Sequence, residues 1–344
     1  MFWVIKMKSK NIIFTEPNVA KLIEQEVSLP KENEILVKLC VSSISSGTER
    51  ANLMGSKTIA WNKPDEAQAV FPRQGGYSSA GVVVQVGNAV TKFKVGDRVA
   101  TWWGTHSEYI TISENNACLI DDVSFEDAAL LHIATFPLAA IRKCRLEIGE
   151  SAIVMGMGVL GIVALQLLKA AGAVPIIAVD PDPKKRQKAL ESGADYALDP
   201  FDENFIKNVK ELTCGGAKVG IEVTGVGAGL KGILDVMSRF GRVALLGCTR
   251  SSDFEVDYYH KVHGPGISLI GAHTAARPEV ESHSGYWTQK DDILALKKLV
   301  KAQRIQLSKL VDQTYSPCDA EYVYDKLIND KTFPVVQFDW RQLK

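Results

Sequence analysis

Apolar and polar positions change period twice along the chain, and the changes divide it. The first third alternates over short runs with turn punctuation. Glu34 to Val41 reads as a strand of β-branched and apolar residues, Gly81 to Gly87 as a second, and Val95 to Trp103 as a turn followed by a third. From about Ser124 the spacing becomes helical, over 127–132 and then 137–141, with Pro137 acceptable only near a helix start or a kink. Beyond residue 150, strands and helices alternate. Strands are expected at 152–155, 175–179, 219–224, 241–247 and 267–271, and helices at 159–171 and 184–192. Such alternation indicates an α/β domain, a doubly wound parallel sheet covered on both faces. Helices expected near 291–302 and 319–329 have no place in that sheet and are assigned to the first domain. The expected domains are therefore 1–133, the sheet domain 134–272 as an insertion, and a return of the first domain over 273–344.

Composition narrows the classes. The 344 residues balance 40 Lys plus Arg against 40 Asp plus Glu, with 46% hydrophobic and 23% charged residues. A neutral chain offers no broad basic surface, so no nucleic acid is expected as a partner. The start, Met1 to Lys6, is too short for a signal-peptide core, and the longest apolar stretch, around 158–168, is too short to span a membrane. A cytoplasmic protein with no membrane partner is expected. The six cysteines form no CxxC pair, which excludes a zinc ribbon and a dithiol redox motif.

Candidate chemistry is densest at Gly156-Met157-Gly158-Val159-Leu160-Gly161. An apolar strand enters this GxGxxG run, a helix leaves it, and Asp180 ends the next strand. That is a dinucleotide fingerprint. Gly156 suits the tight turn, Gly158 the approach of a pyrophosphate, and Gly161 close helix–strand packing. The helix N-terminus faces the phosphates. Asp180 would bond the ribose hydroxyls and repel a 2′-phosphate, favouring NAD(H). The basic run Lys184-Lys185-Arg186 is a solvated helix face, with Lys185 near the ribose.

Val86-Gly87, Gly96-Asp-Arg-Val99, His106-Ser-Glu-Tyr109, the fingerprint, Ser192-Gly-Ala194 and Phe240-Gly-Arg-Val243 together resemble the medium-chain dehydrogenase/reductase superfamily along essentially the whole chain. Ser46-Gly-Thr-Glu49 and Gly76-Tyr-Ser-Ser-Ala-Gly81 are similar to a zinc-labelled branch. That branch holds bacteriochlorophyllide a 3-hydroxyethyl dehydrogenases and the N-terminal half of two-domain oxidoreductases. The resemblance implies a GroES-like irregular β-barrel catalytic domain carrying an inserted Rossmann domain, and a homodimer or homotetramer. Zinc ligands of the family are replaced here by Ser46, Tyr77 and Ser78, with His132 the one remaining donor, so no catalytic or structural zinc is expected.

The candidates for handling the substrate oxygen are then Tyr77, Ser46, Thr48, Glu49, His132 and His273. Four of the first-domain candidates have a plainer alternative. Tyr77 fills the space of the missing metal, Ser46 caps a turn, Glu49 pairs with Arg50 or Arg98, and His132 is a core histidine. The resemblance further implies cofactor contacts at Thr135, Val159, Leu160, Thr224, Gly247, Cys248, Ala272 and His273. Arg277, Glu279, Tyr286 and Trp287 sit on a loop suited to reading a polar substrate, or else on a solvated loop or subunit contact. Trp61, Trp102 and Trp103 are either an apolar wall or core. The expected function is zinc-independent, NAD(H)-dependent hydride transfer between nicotinamide and a secondary alcohol or ketone, such as a sugar, polyol or cyclic substrate. The alternatives are a zinc-free enoyl or quinone reductase and a catalytically silent NAD-binding sensor or scaffold.

Overall fold

The computed structural model describes residues 7–56, 70–249, 254–330 and 332–343. The chain divides into two units, Met1–Ile133 with Leu307–Lys344, and Ala134–Gln306.

In the first unit a hairpin, Lys8–Glu16 with Val19–Glu26, is extended by the short strand Arg73–Gln74. A seven-stranded sheet is built around Glu34–Ser43, which pairs antiparallel with Ser78–Val86, Tyr109–Ser113 and Val336–Asp339. Two register shifts against Ser78–Val86 bend the strand so that it serves several neighbours, as bulges do in barrels. Alternation places Ile35, Val37 and Leu39 in the core with Ile12, Phe14, Val83, Val99, Tyr324 and Phe338. The helix Ala320–Asn329 contributes Tyr324 to this core.

In the second unit six parallel strands form one sheet: β1 (Ala152–Met155), β2 (Ile176–Val179), β3 (Tyr196–Leu198), β4 (Ala217–Glu222), β5 (Met237–Leu245) and β6 (Ser268–Gly271). Their order is 3-2-1-4-5-6, the doubly wound arrangement whose crevice lies at the carboxyl end where the order reverses beside β1. β1 and β2 are buried at every residue, which explains their unbroken apolar sequence.

The expected second boundary at 272 differs from the fold. The helix Gln289–Lys301 belongs to the second unit, which runs to Gln306. Polar anchoring explains this. Fully buried Asp292 pairs with Arg142 at 2.9 Å and Arg277 at 3.6 Å, and Gln289 donates to the Thr135 hydroxyl at 3.1 Å. Pro137 lies inside the helix Leu131–Lys143. No helix among the described residues is long and apolar enough to cross a membrane.

Candidate active site and cofactor site

In the first unit, the strand Glu34–Ser43 runs into the helix Ser46–Leu53, with Ser45 as the non-helical residue between them. The Ser45 hydroxyl accepts a short hydrogen bond from the Tyr77 phenol. Tyr77 precedes the strand Ser78–Val86, and its carbonyl accepts the Trp103 N–H at 3.0 Å. The His132 ring meets both aromatics edge-on, 5.3 Å from Tyr77 and 4.5 Å from Trp103. Trp103 adopts φ 61° and is 49% exposed. A bulky residue in the left-handed region is strained, a feature concentrated at functional sites. Trp102 is buried core, and Trp61 lies outside the described residues.

The hydroxyl on Tyr77 is therefore that of Ser45, one position before the expected Ser46. Ser46 has already entered the helix and is half-buried. Thr48, also half-buried, accepts the Asn52 side-chain N–H on its carbonyl at 2.9 Å. Glu49 does not pair with Arg50 or Arg98. It lies on the buried side of the helix, where its carboxylate accepts from the Ser45 N–H, His106 Nε2 and the Tyr324 hydroxyl. Arg50 instead donates to the carbonyls of Leu327 and Asp330, and Arg98 to those of Asp121 and Val123. Ser45, His106 and Tyr324 are residues that sequence reasoning did not single out as site groups. The Ser45-Ser46 doublet was the available signal for the first; His106 stood in the His106-Ser-Glu-Tyr109 motif, but nothing local tied it or Tyr324 to Glu49.

In the second unit the glycine loop follows β1. Gly156 has φ 101°, a conformation open to glycine and strained for other residues. A Cβ on Gly158 would meet nothing within 4 Å, whereas one on Gly161 would lie 1.9 Å from the Gly156 carbonyl oxygen. Space is thus left above Gly158, at the N-cap of the helix Val159–Ala170, and none beneath Gly161. Val159 is buried and Leu160 half-buried on the first turn. These residues fit a dinucleotide pyrophosphate at a helix N-terminus.

Asp180 joins the loop to β2. One carboxylate oxygen accepts the Met157 N–H at 2.8 Å, the other the Asp182 N–H at 2.9 Å. A carboxylate has about four acceptor positions, so two N–H contacts leave capacity for ribose hydroxyls. Arg186 donates to the carbonyls of Asp180 and Pro181, both at 2.8 Å, and to Asp199 at 3.0 Å, so it staples this turn. Lys185 is half-buried on the helix Pro183–Glu191.

At the end of β4, buried Glu222 accepts from the Thr224 N–H and hydroxyl and from Gly225 N–H. Burial pushes its carboxyl above the ordinary range, and these three donors offset part of that. Thr224 in turn packs beside Gly156, where a Cβ would lie 3.0 Å from its methyl group. Gly247 N–H donates to the Glu222 carbonyl at 2.8 Å, and Ala272 N–H to Leu245 at 3.1 Å. Cys248 is exposed. His273 Nδ1 accepts the Ala275 N–H at 3.1 Å.

The loop beyond His273 is more structural than expected. Arg277 donates to the Thr274 carbonyl at 2.9 Å and faces buried Asp292, while Trp287 lies under the Arg142 guanidinium at 3.5 Å. Both belong to the cluster that docks the helix Gln289–Lys301. Glu279 is exposed, and Tyr286 stacks on His283 at 5.3 Å.

Residues 31–136 match the alcohol dehydrogenase GroES-like domain family, and residues 159–283 match the zinc-binding dehydrogenase family. Between them these matches cover most of the chain. It belongs to the medium-chain dehydrogenase/reductase superfamily. Curated relatives that it matches are dehydrogenases.

Among superfamily relatives, (R,R)-butanediol dehydrogenase of Bacillus subtilis is 33% identical over 233 residues, 59% of this chain and 66% of that protein. The alignment therefore stops just short of two thirds of the relative's length. D-guloside 3-dehydrogenase of Escherichia coli is 28% identical over 288 residues, 78% of this chain and 82% of that one. The crystal structure of 2R,3R-butanediol dehydrogenase from Bacillus subtilis superposes with a TM-score of 0.80 at 24% identity, covering 96% of this chain and 99% of that one. An alcohol dehydrogenase of Escherichia coli CFT073 complexed with NADH superposes at 0.82, with 20% identity and 97% and 99% coverage.

The name of the family matched by residues 159–283 carries zinc, so the donors around Tyr77 bear on it. They are a phenol, the Ser45 hydroxyl and the His132 imidazole. Protein zinc sites use thiolate, imidazole and carboxylate, and a set dominated by neutral hydroxyls does not fit the ion. Among the described residues, no three His, Cys, Asp or Glu side chains are grouped to hold a metal.

Proposed function

We propose that the protein is a zinc-independent, NAD(H)-dependent dehydrogenase acting on a secondary alcohol or ketone of a polyol or sugar, with the Tyr77–Ser45 pair handling the substrate proton. The observation that carries this reading is the hydrogen bond from Tyr77 to Ser45 against the His132 ring. In ketone reduction Ser45 gives its own hydrogen to the substrate oxygen and takes the phenol's in exchange, leaving a Tyr77 phenolate. Alcohol oxidation is the reverse and starts from the phenolate, with the Ser45 hydrogen turned to it and the substrate hydroxyl donating to Ser45. NAD+ supplies the hydride acceptor when bound. The glycine loop holds the pyrophosphate, and Asp180 selects ribose hydroxyls over a 2′-phosphate. Support for the substrate class comes from relatives named for butanediol and D-guloside, both bearers of secondary alcohols. His273 belongs to the cofactor side in this proposal, as do Thr135, Thr224, Gly247, Cys248 and Ala272. The assembly is a homodimer or homotetramer in the cytoplasm, measurable by light scattering.

Turnover of NADH with acetoin and keto-sugars, and of NAD+ with 2,3-butanediol, polyols and glycosides, tests the reading. Tyr77→Phe is expected to lower turnover at least tenfold, about 1.4 kcal/mol of transition-state stabilisation. Wild-type turnover in that variant would remove Tyr77 from the chemistry. Asp180→Gly is expected to weaken NADH binding and improve NADPH relative to it, and an unchanged preference would remove the ribose assignment.

A further inference from the structure

The buried side of the helix Ser46–Leu53 carries a polar cluster that the proposed chemistry leaves unused. Glu49 is 1% exposed and His106 fully buried. The Glu49 carboxylate accepts from the Ser45 N–H at 2.8 Å, the Tyr324 hydroxyl at 2.5 Å and His106 Nε2 at 3.1 Å. The ionised Glu49 carboxylate can only accept, so His106 Nε2 carries a proton and donates it there. Ser42 Oγ accepts the Trp340 indole N–H at 2.9 Å and meets His106 Nδ1 at 2.7 Å. Every contact to the carboxylate is thus a donor, and a buried acceptor surrounded by donors is expensive to disturb.

Two connections lead from this cluster to the Tyr77–Ser45 pair. The first is the Ser45 N–H, held by Glu49, on the residue whose hydroxyl meets Tyr77. The second runs through the chain before Tyr77. His106 N–H donates to the Gly75 carbonyl at 3.0 Å, and the His106 ring lies so close to Gly76 that a Cβ there would be 2.7 Å from it, with Gly76 at φ 85°. Glu49 and His106 therefore grip both segments that present the two hydroxyls.

We propose that Glu49, His106 and Tyr324 are positioning residues that set the Tyr77–Ser45 pair without touching a reacting atom. Their catalytic importance rests on the reading of that pair as the proton-handling group. Ser45 N–H meets one carboxylate oxygen and His106 with Tyr324 the other, so Glu49→Gln must turn its NH2 either toward Ser45 or toward the other two donors, and one of the two grips has to slip. Tyr324→Phe removes a single donor and is the gentler variant should Glu49→Gln fail to fold.

The experiment uses the full chain with tyrosine carbon-13 labelled at Cζ, which needs no substrate. The Tyr77 resonance is identified by its loss in Tyr77→Phe. Both cluster variants are expected to shift or split that resonance. With acetoin as probe ketone they are expected to lower kcat about fivefold or more, with KM for NADH within about twofold, and Glu49→Gln added to Tyr77→Phe is expected to cost nothing further. A Tyr77 resonance unchanged in Tyr324→Phe and in folded Glu49→Gln overturns the positioning role, whatever happens to stability. Additive losses in the double variant also overturn it. Full turnover by Tyr77→Phe instead removes the proton-handling reading, while the resonance still decides whether the cluster sets Tyr77.

Discussion

Ser45 stands outside the helix Ser46–Leu53 in a non-helical conformation, and that offset of one position aims its hydroxyl at Tyr77 while Ser46 enters the first turn. Ser45→Ala is accordingly expected to lower turnover about tenfold, roughly 1.4 kcal/mol. Ser46→Ala is expected to leave it within about twofold, the ordinary range for a substitution away from critical contacts. Parallel kinetics of the two variants separate them. Cysteine reactivity is a second residue-scale consequence. Burial pushes the Cys144 thiol up to about 12, despite the nearby Arg242 charge, so it remains protonated at mildly alkaline pH and is a poor nucleophile. Alkylation followed by mass spectrometry should label exposed Cys214, Cys248 and Cys318 in the native protein and reach Cys144 only after unfolding. The glycine fingerprint was legible in sequence because its constraints are local: a turn at Gly156, an open face at Gly158, a tight contact at Gly161. The contact of Glu49 with His106 and Tyr324 was not, because only the tertiary fold joins three such distant positions.

Gly161 shows how one hydrogen atom sets the distance between a helix and a strand. Adding a methyl group would place it 1.9 Å from the Gly156 carbonyl oxygen, so Gly161→Ala must push the helix Val159–Ala170 off the loop. The expected cost is about 1–3 kcal/mol of stability, with weakened NADH binding, read by urea unfolding and fluorescence titration. The helix Gln289–Lys301 depends on charge instead. Asp292→Ala strips the counter-ion from Arg142 and Arg277 inside the protein. Removing one partner of such a buried group costs about 3–5 kcal/mol, again read by urea unfolding. Periodicity revealed that this helix exists; it carried no information about which unit would bury its polar anchor, and the expected boundary was misplaced for that reason. β1 and β2 were readable because strands covered on both faces are uninterrupted and apolar, and β4 to β6 were expected with them, whereas β3, three residues long and partly exposed, was not.

At the scale of the whole molecule, the proposed chemistry without zinc makes a simple chemical claim. Elemental analysis of the purified protein should find well below one zinc per chain, and turnover should survive prolonged treatment with a strong chelator. Stoichiometric zinc whose removal abolishes turnover would return the metal to the mechanism.

The strand Val336–Asp339 pairs with Glu34–Ser43, and Tyr324 reaches Glu49, across the whole of the intervening second unit. This topology imposes a timetable on synthesis. The second unit is one continuous segment and can fold as soon as Gln306 clears the ribosome. The first unit, although made earlier, must wait with its central strand unpaired on that side and Glu49 without its tyrosine. Such long-range closure is slow, and the waiting segment is the part of the nascent chain that most needs protection from aggregation. Ribosome-bound chains halted when Gln306 has just emerged from the ribosome should therefore protect the Rossmann sheet from protease while leaving residues 34–43 open to cleavage.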